Sequence, residues 1–284
     1  MFTFPSNDGT AIHVRSWLPV DSEPRGIVQI VHGMGEHSGR YGHLAARLVH
    51  LGFAVYADDH RGHGLSMGPV PGDLGPDGWN LLVADELALT EILRERHPGL
   101  PVTLLGHSLG SFAVQQYVLG RSDLVDEVVM SGTTAVDGLF TEIAAAGGDL
   151  IGFFNAEFQP TRTDADWISR DEAQVDAYNA DPWCGFAIDD TNMVSLAAAA
   201  TGLSDPATVR ADLPIYVMVG DKGPLNGKLR LSDLLIERYR DAGLTDLTYR
   251  VYPDARHEVL NEINRDEVEA DLLAWITRAR PARD

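Results

Sequence analysis

The 284-residue chain holds a single cysteine, Cys184, so no disulfide can form within it. So little cysteine is typical of proteins from a reducing compartment. The chain also lacks a run of about 20 apolar residues, the length that spans a bilayer. Its first residues lack the basic and apolar segments of a secretory signal. We therefore expect a cytoplasmic protein with no stable membrane anchor.

Basic residues are scarce as well. Lys and Arg number 22 against 42 Asp and Glu, which gives a formal net charge of −20. An acidic surface repels phosphate backbones and anionic lipid, so we expect no nucleic-acid partner. Solubility is the simplest reason for such a charge, and the sequence leaves the oligomeric state open.

Short apolar strands alternate with helical patterns in the first half of the chain. Residues 26–33 (GIVQIVHG) form a continuous apolar run, as expected of a strand buried on both faces. Residues 101–106 repeat this pattern, and residues 109–119 have the spacing of a helix. Strands separated by helices in this way form right-handed βαβ crossovers. The sequence therefore predicts an α/β fold with a mostly parallel sheet flanked by helices.

The alternation breaks in the middle of the chain. Residues 135–207 contain no clear strand, and their aromatic residues stand between Gly, Asp and Thr. The strand pattern returns at residues 214–220. We expect one core formed by residues 1–134 and 208–284, with a cap inserted at 135–207.

The strongest chemical signal is Gly106-His107-Ser108-Leu109-Gly110, which fits G-x-S-x-G between a predicted strand and a predicted helix. This context is that of a nucleophile elbow, a tight turn that exposes a serine Oγ. The helix that follows places the Leu109 N–H beside a developing oxyanion. Ser108 is therefore the candidate nucleophile, and Leu109 is a candidate oxyanion-hole donor.

A serine hydroxyl needs a general base, and His257 is the best placed of the ten histidines. With an elbow of this kind the chain order is Ser, acid, His, and His257 follows a predicted strand at 247–252. A second oxyanion donor is indicated by His32-Gly33-Met34-Gly35. Its glycines leave the backbone open, so the Met34 N–H is the candidate.

Four motifs carry a family resemblance: HGMGEHSGRY (32–41), DHRGHGLS (59–66), GHSLG (106–110) and HE (257–258). Together they resemble monoacylglycerol lipases and the related bacterial lysophospholipase-like hydrolases. The resemblance implies the α/β-hydrolase fold, with a cap over an apolar acyl pocket. It also implies hydrolysis of a small-molecule acyl ester, such as a monoacylglycerol, through a Ser108 acyl-enzyme and without a cofactor.

One departure from the family concerns the acid of the triad. Family members carry it as Gly-x-x-Asp after the strand that corresponds to 214–220, but here the residues read Gly220-Asp221-Lys222-Gly223. Gly223 therefore stands at the expected aspartate. Three interpretations are open: Asp221 orients His257, an acid elsewhere such as Asp137 does so, or the triad has no acid. In the third case the protein is a slow hydrolase or a ligand-binding pseudoenzyme.

Two alternatives concern the chemistry itself. Because a fold does not determine its substrate, the same site could serve another ester, a lactone or an amide. A metal site is not expected, because the pairs His60/His63 and His32/His37 lie among glycines. Glycines form helices poorly, so these pairs offer no rigid two-ligand face.

Overall fold

The computed structural model describes residues 1–20 and 22–278. Its strands in this part are β1 (Phe2–Pro5), β2 (Ala11–Trp17), β3 (Gly26–Val31), β4 (Phe53–Asp59), β5 (Val102–His107), β6 (Glu127–Ser131), β7 (Ile215–Gly220) and β8 (Leu247–Tyr252). They form one sheet in the order β1-β2-β4-β3-β5-β6-β7-β8. Strands β3 to β8 run parallel, whereas β2 pairs antiparallel with β1 and β4.

The helices of the described chain are α1 (Gly42–His50), α2 (Gly78–Arg96), α3 (Leu109–Arg121), α4 (Val136–Ala145), α5 (Leu150–Asn155), α6 (Glu172–Ala180), α7 (Asp190–Leu203), α8 (Arg230–Asp241) and α9 (Arg265–Thr277). Helices α2, α3 and α8 cover one face of the sheet, and α1 and α9 cover the other. The predicted α/β fold is therefore confirmed.

The central strands are mostly apolar because both of their faces are covered. Every residue of β3 is buried, and successive side chains enter opposite layers of the core. Ile27 and Val31 pack on the side of α2 and α3, whereas Val28 and Ile30 pack on the side of α1 and α9. The continuous apolar run at residues 26–31 thus reflects burial on two faces.

Helices α4 to α7 fill the chain between β6 and β7, and the described residues of this stretch contain no strand. Helix α4 packs on α7, and α7 also contacts α2 and α3, so these helices lie over the core. In the part of the chain that the structure describes, no helix is both long and apolar enough to cross a membrane.

Parallel strands end at one edge of the sheet, and loops at that edge commonly carry the ligand site of an open α/β fold. His32 follows β3, Ser108 follows β5, and Asp221 follows β7. His257 lies in the loop after β8. The fold therefore collects the chemically interesting loops at one edge.

Candidate active site

Ser108 occupies a strained turn between β5 and α3. Its φ of 51° and ψ of −122° lie outside the regions that residues with a side chain usually adopt. The turn is tight because a Cβ on Gly110 would overlap the carbonyl oxygens of Val31 and His32, while one on Gly106 would meet the carbonyl oxygen of Gly110 at 2.7 Å. The two glycines of the pentapeptide therefore permit the close approach of α3 to β3 and β5.

The structure brings Ser108 and His257 together. The Nε2 atom of His257 lies 2.8 Å from Ser108 Oγ, which is hydrogen-bond distance. The imidazole is buried and packs between Trp167 and His107, with ring centroids 5.0 Å and 4.9 Å away. Burial, and then the proximity of His107, hold the pKa of His257 well below its ordinary value of 6.5. The imidazole is thus neutral near pH 7 and able to accept a proton.

Two backbone amides point to an oxyanion hole. Leu109 is the first residue of α3, where an N–H has no partner within the helix. Among the described residues, neither the Leu109 nor the Met34 N–H donates a hydrogen bond to the protein. Both residues line the same cavity as Ser108. These amides are free to receive the charge that develops on a carbonyl oxygen.

The glycines on either side of Met34 have their amides occupied. The Gly33 N–H donates to Glu36 Oε1 at 2.5 Å, and the Gly35 N–H donates to His63 Nε2 at 3.2 Å. A free donor at Met34 therefore stands between two fixed peptide groups.

An apolar cavity of about 330 Å³ opens at Ser108. Its walls come from both the core and the segment with helices α4 to α7. They include Phe112, Leu139, Phe140, Ile143, Leu150, Phe154, Trp167, Phe186, Met193, Leu196 and Leu225. Cavities of this size and character bind small apolar ligands. The nucleophile thus faces a space suited to an acyl chain.

Comparisons with known proteins decide the family. The family model described as serine aminopeptidase, S33 (Hydrolase_4) matches residues 22–264. The monoacylglycerol lipase of Mycolicibacterium smegmatis is 35% identical over 282 residues, which cover 96% of this chain and 95% of that protein. The Homo sapiens monoglyceride lipase is 28% identical and is matched over 95% of this chain and 88% of its own. A thermostable carboxyl esterase from Bacillus coagulans superposes with a TM-score of 0.82 at 29% identity, over 97% of this chain and 96% of its own.

The chain is a monoacylglycerol lipase-like α/β-hydrolase. It belongs to the Hydrolase_4 family, and it is a serine ester hydrolase. The family resemblance and the ester-hydrolase activity predicted from the sequence are confirmed.

Within the part of the chain that the structure describes, no carboxylate is hydrogen-bonded to His257. Among the described residues, Asp221 makes no hydrogen bond with His257, and its Oδ2 atom lies 3.8 Å from Lys222 Nζ. Its backbone N–H still pairs with the Tyr252 carbonyl, so Asp221 continues the course of β7 and lies before the turn. Asp137 is engaged elsewhere, because both its oxygens accept from Arg238 at 2.6 Å and 2.8 Å. The structure therefore does not bring Asp221 or Asp137 to the imidazole.

Gly223 lies in the turn that follows β7, and a small cavity separates it from His257. The cavity has a volume of about 10 Å³ and is lined by Gly132, Thr133, Val219, Gly220, Gly223, Leu225, Asn226, Arg256 and His257. The φ of Gly223 is −62°, a value that every L-residue adopts. The backbone conformation at this position is therefore one that residues with a side chain adopt, although the residue is glycine.

The sequence reasoning missed a buried network behind the site. Arg40 Nη1 donates to Glu36 Oε2 at 2.7 Å. The Arg40 guanidinium also donates two hydrogen bonds of 2.7 Å to the Glu258 carboxylate. Glu36 follows the candidate oxyanion donor and Glu258 follows His257, so one guanidinium joins the two loops. All three residues belong to the motifs that carry the family resemblance, but their spacing along the chain did not reveal the contact.

Two groups among the residues described have the side chains of a metal site, but their hydrogen bonds do not favour one. In the group Asp58, His60 and Glu86, His60 Nδ1 contacts both carboxylates and its Nε2 lies 3.0 Å from the His32 carbonyl. Since both ring nitrogens face acceptors, this ring is a cation with no lone pair to offer. In the group His37, Asp181 and Cys184, burial raises the pKa of the Cys184 thiol to about 12, which disfavours the thiolate that a metal requires.

The acid limb of the pH profile, that is, the fall of kcat/KM toward low pH, is expected to lie below pH 6.5. Only the neutral imidazole accepts the serine proton, so activity falls as the pH drops through the lowered pKa of His257. Hydrolysis of a soluble ester between about pH 4 and pH 9 measures this. An aspartate at position 223 favours the imidazolium and is expected to move the limb to higher pH. An acid limb above pH 6.5 in the natural chain would contradict the assignment.

Proposed function

We propose that the protein hydrolyses monoacylglycerols or similar single-chain acyl esters through an acyl-enzyme on Ser108. One observation carries this proposal: Ser108 opens directly into the apolar cavity of about 330 Å³. Residues 135–207 supply much of the apolar wall, and we assign them the role of a cap that encloses the acyl chain. Apolar area removed from water then provides the affinity for substrate.

The mechanism follows from the positions of four groups. His257 Nε2 takes the proton of Ser108 Oγ as this oxygen attacks the ester carbonyl carbon. The carbonyl oxygen becomes an oxyanion that accepts hydrogen bonds from the Met34 and Leu109 N–H groups. His257 then gives the proton to the leaving alcohol, and the acyl group remains on Ser108. Water next loses a proton to His257 and attacks the acyl carbon, and Ser108 recovers this proton as the fatty acid leaves.

We further propose that His257 works without a triad carboxylate, which makes the natural chain a slow hydrolase. Breaking the His–Asp arrangement in a serine protease lowers kcat by about 10⁴, while the oxyanion hole and binding retain about 10³–10⁴ over water. Here the flanking rings of Trp167 and His107 keep the imidazole in place. They do not select its tautomer or stabilise the imidazolium. The His257 ring therefore keeps its orientation, but the rate enhancement that a triad carboxylate supplies is lost.

The preferred substrates are neutral. A formal charge of −20 repels strongly anionic lipid surfaces and nucleic acid, so dispersed neutral acyl esters fit best. We place this activity in the cytoplasm, because a single cysteine is typical of proteins from a reducing compartment. An amide substrate is compared as well, because the family model that matches the chain is described as a serine aminopeptidase.

A fluorophosphonate probe is expected to label Ser108, and ester hydrolysis is expected to grow with acyl length until the cavity is filled. Each added CH₂ that the cavity buries is worth about 0.8 kcal/mol, or about a fourfold rise in kcat/KM. A series of p-nitrophenyl esters and monoacylglycerols measures the profile, with Ser108→Ala as the unlabelled control. Preference for acetyl esters, or faster cleavage of the matching anilide, would overturn the lipid-ester proposal.

A further inference from the structure

His63 lies beneath the loop that carries the Met34 amide. It is fully buried, and its two ring nitrogens have different partners. Nε2 accepts from the Gly35 N–H at 3.2 Å, so the ring proton sits on Nδ1, which donates to the Arg61 carbonyl at 3.0 Å. Burial, and then the His60 cation, lower the pKa of His63 to about 3. His63 is therefore a neutral acceptor throughout the pH range in which an esterase is assayed.

The carbonyl side of Gly35 contacts the loop segment between α6 and α7. The Gly35 carbonyl accepts from the Gly185 N–H at 3.0 Å. Gly35 has a φ of 62°, and a Cβ there would overlap the backbone of Phe186. The loop and this segment therefore fit together with no room for a side chain between them.

The same segment reaches both His63 and the acyl cavity. The Phe186 ring packs on the His63 ring, with centroids 5.0 Å apart. Gly185 and Phe186 also line the cavity, together with Met34. Residues that line the acyl cavity are thus connected to both the N–H and the carbonyl of Gly35, through the His63 ring and through the Gly185 N–H.

We propose that His63 is a positioning residue that holds the Met34 amide in place and couples it to the acyl-chain wall at Phe186. The proposal rests on the function proposed above. Its basis is the chain of contacts from Phe186 to His63, from His63 to the Gly35 N–H, and from Gly35 to its neighbour Met34. Two consequences follow: His63 affects kcat more than KM, and it contributes to the preference for long acyl chains.

The matched pair His63→Gln and His63→Leu tests the first consequence. Both changes remove the ring Nδ1–H that donates to Arg61, but only glutamine keeps an acceptor that reaches the Gly35 N–H. We expect His63→Leu to lower kcat by about 10²-fold with little change in KM, since a shift of about 1 Å in a positioned group has that effect. His63→Gln is expected to keep most of the natural kcat. His50→Gln, at an exposed histidine of α1, is the control for histidine replacement.

The variant Phe186→Ala tests the second consequence and does not depend on whether His63→Leu folds. Phe186 is only partly buried, so its truncation is tolerated better than a change at His63. We expect the ratio of kcat for decanoyl over acetyl esters to fall in this variant, because Phe186 contacts both the acyl cavity and His63. Thermal unfolding of each variant is measured alongside.

Equal kcat values for His63→Gln and His63→Leu would overturn the positioning role. An unchanged ratio of kcat values in Phe186→Ala would overturn the coupling. These failures are distinguishable from failure of the proposed function, in which the natural chain itself neither reacts with the fluorophosphonate at Ser108 nor hydrolyses any ester.

Discussion

Replacing Gly223 with aspartate is expected to raise kcat for ester hydrolysis by about 10²–10⁴-fold. The backbone already has a φ of −62°, so the new side chain brings no strain in φ. Gly223 and His257 line the same small cavity, and we expect the new carboxylate to lie there, beside the imidazole. Bonded there, the carboxylate selects the tautomer with Nε2 free and stabilises the imidazolium formed during attack.

The substitution has a local cost that sets the size of the gain. A Cβ at position 223 lies 3.2 Å from Asn226 Nδ2 and 3.2 Å from the Gly220 carbonyl oxygen, so these neighbours must shift by a few tenths of an ångström. The Asn226 amide already donates to the Gly220 carbonyl at 2.7 Å, which ties the two together. We therefore expect a gain nearer the lower limit if this turn resists movement.

The experiment compares kcat in the natural chain, Gly223→Asp and Gly223→Asn. The asparagine variant has the same shape without the charge, so it separates electrostatics from filling of the cavity. Asp221→Asn is made in the natural chain and in Gly223→Asp. It is expected to change kcat by less than about threefold, because Asp221 makes no hydrogen bond to His257 among the described residues. A drop of about a hundredfold on Asp221→Asn in the natural chain would instead identify Asp221 as the acid.

Replacing Arg40 with methionine is expected to destabilise the protein by about 3–5 kcal/mol near neutral pH. Methionine keeps the length of the aliphatic stem but leaves Glu36 and Glu258 without the guanidinium that bonds both. Both carboxylates are buried, with relative exposures of 3% and 5%. Two uncompensated charges in the interior are among the largest costs that a single substitution produces.

The loss of stability is expected to shrink in acid. Burial by itself raises the pKa of Glu258, but Arg40 outweighs it and lowers the pKa to about 2 from an ordinary 4.5. A carboxyl group with a lowered pKa stabilises the fold above its unfolded value, and this contribution disappears as the pH falls from 4.5 toward 2. The difference in free energy of unfolding between the natural protein and Arg40→Met therefore becomes smaller within that interval.

Urea unfolding at about pH 7 and about pH 3 measures both effects. Arg121→Met is the matched control, because Arg121 pairs with Glu91 and Asp123 at the exposed surface, where an ion pair is worth about 0–1 kcal/mol. A loss in Arg40→Met no larger than in Arg121→Met would show that the network contributes little to folding. A coincident fall in kcat is expected as well, since the same guanidinium joins the loops of Met34 and His257.

The sequence by itself determined the features that depend on local patterns. Apolar runs such as 26–31 predict strands buried on both faces, and their alternation with helices predicts the parallel sheet. G-x-S-x-G locates Ser108 on a strand–turn–helix junction because the glycines and the turn are neighbours along the chain. The glycine at position 223 was also visible, since it departs from a short motif.

Only the tertiary structure decided which distant groups meet. Glu36 and Glu258 are 222 positions apart in the chain, and their shared contact with Arg40 exists because β3 and β8 end at the same edge of the sheet. The contact between His63 and Gly35, and the absence of one between Asp221 and His257 among the described residues, depend likewise on where loops fall after folding. Spacing along the chain carries no information on such distances, because hydrogen bonds act over about 3 Å and the loops are brought together by packing of the core.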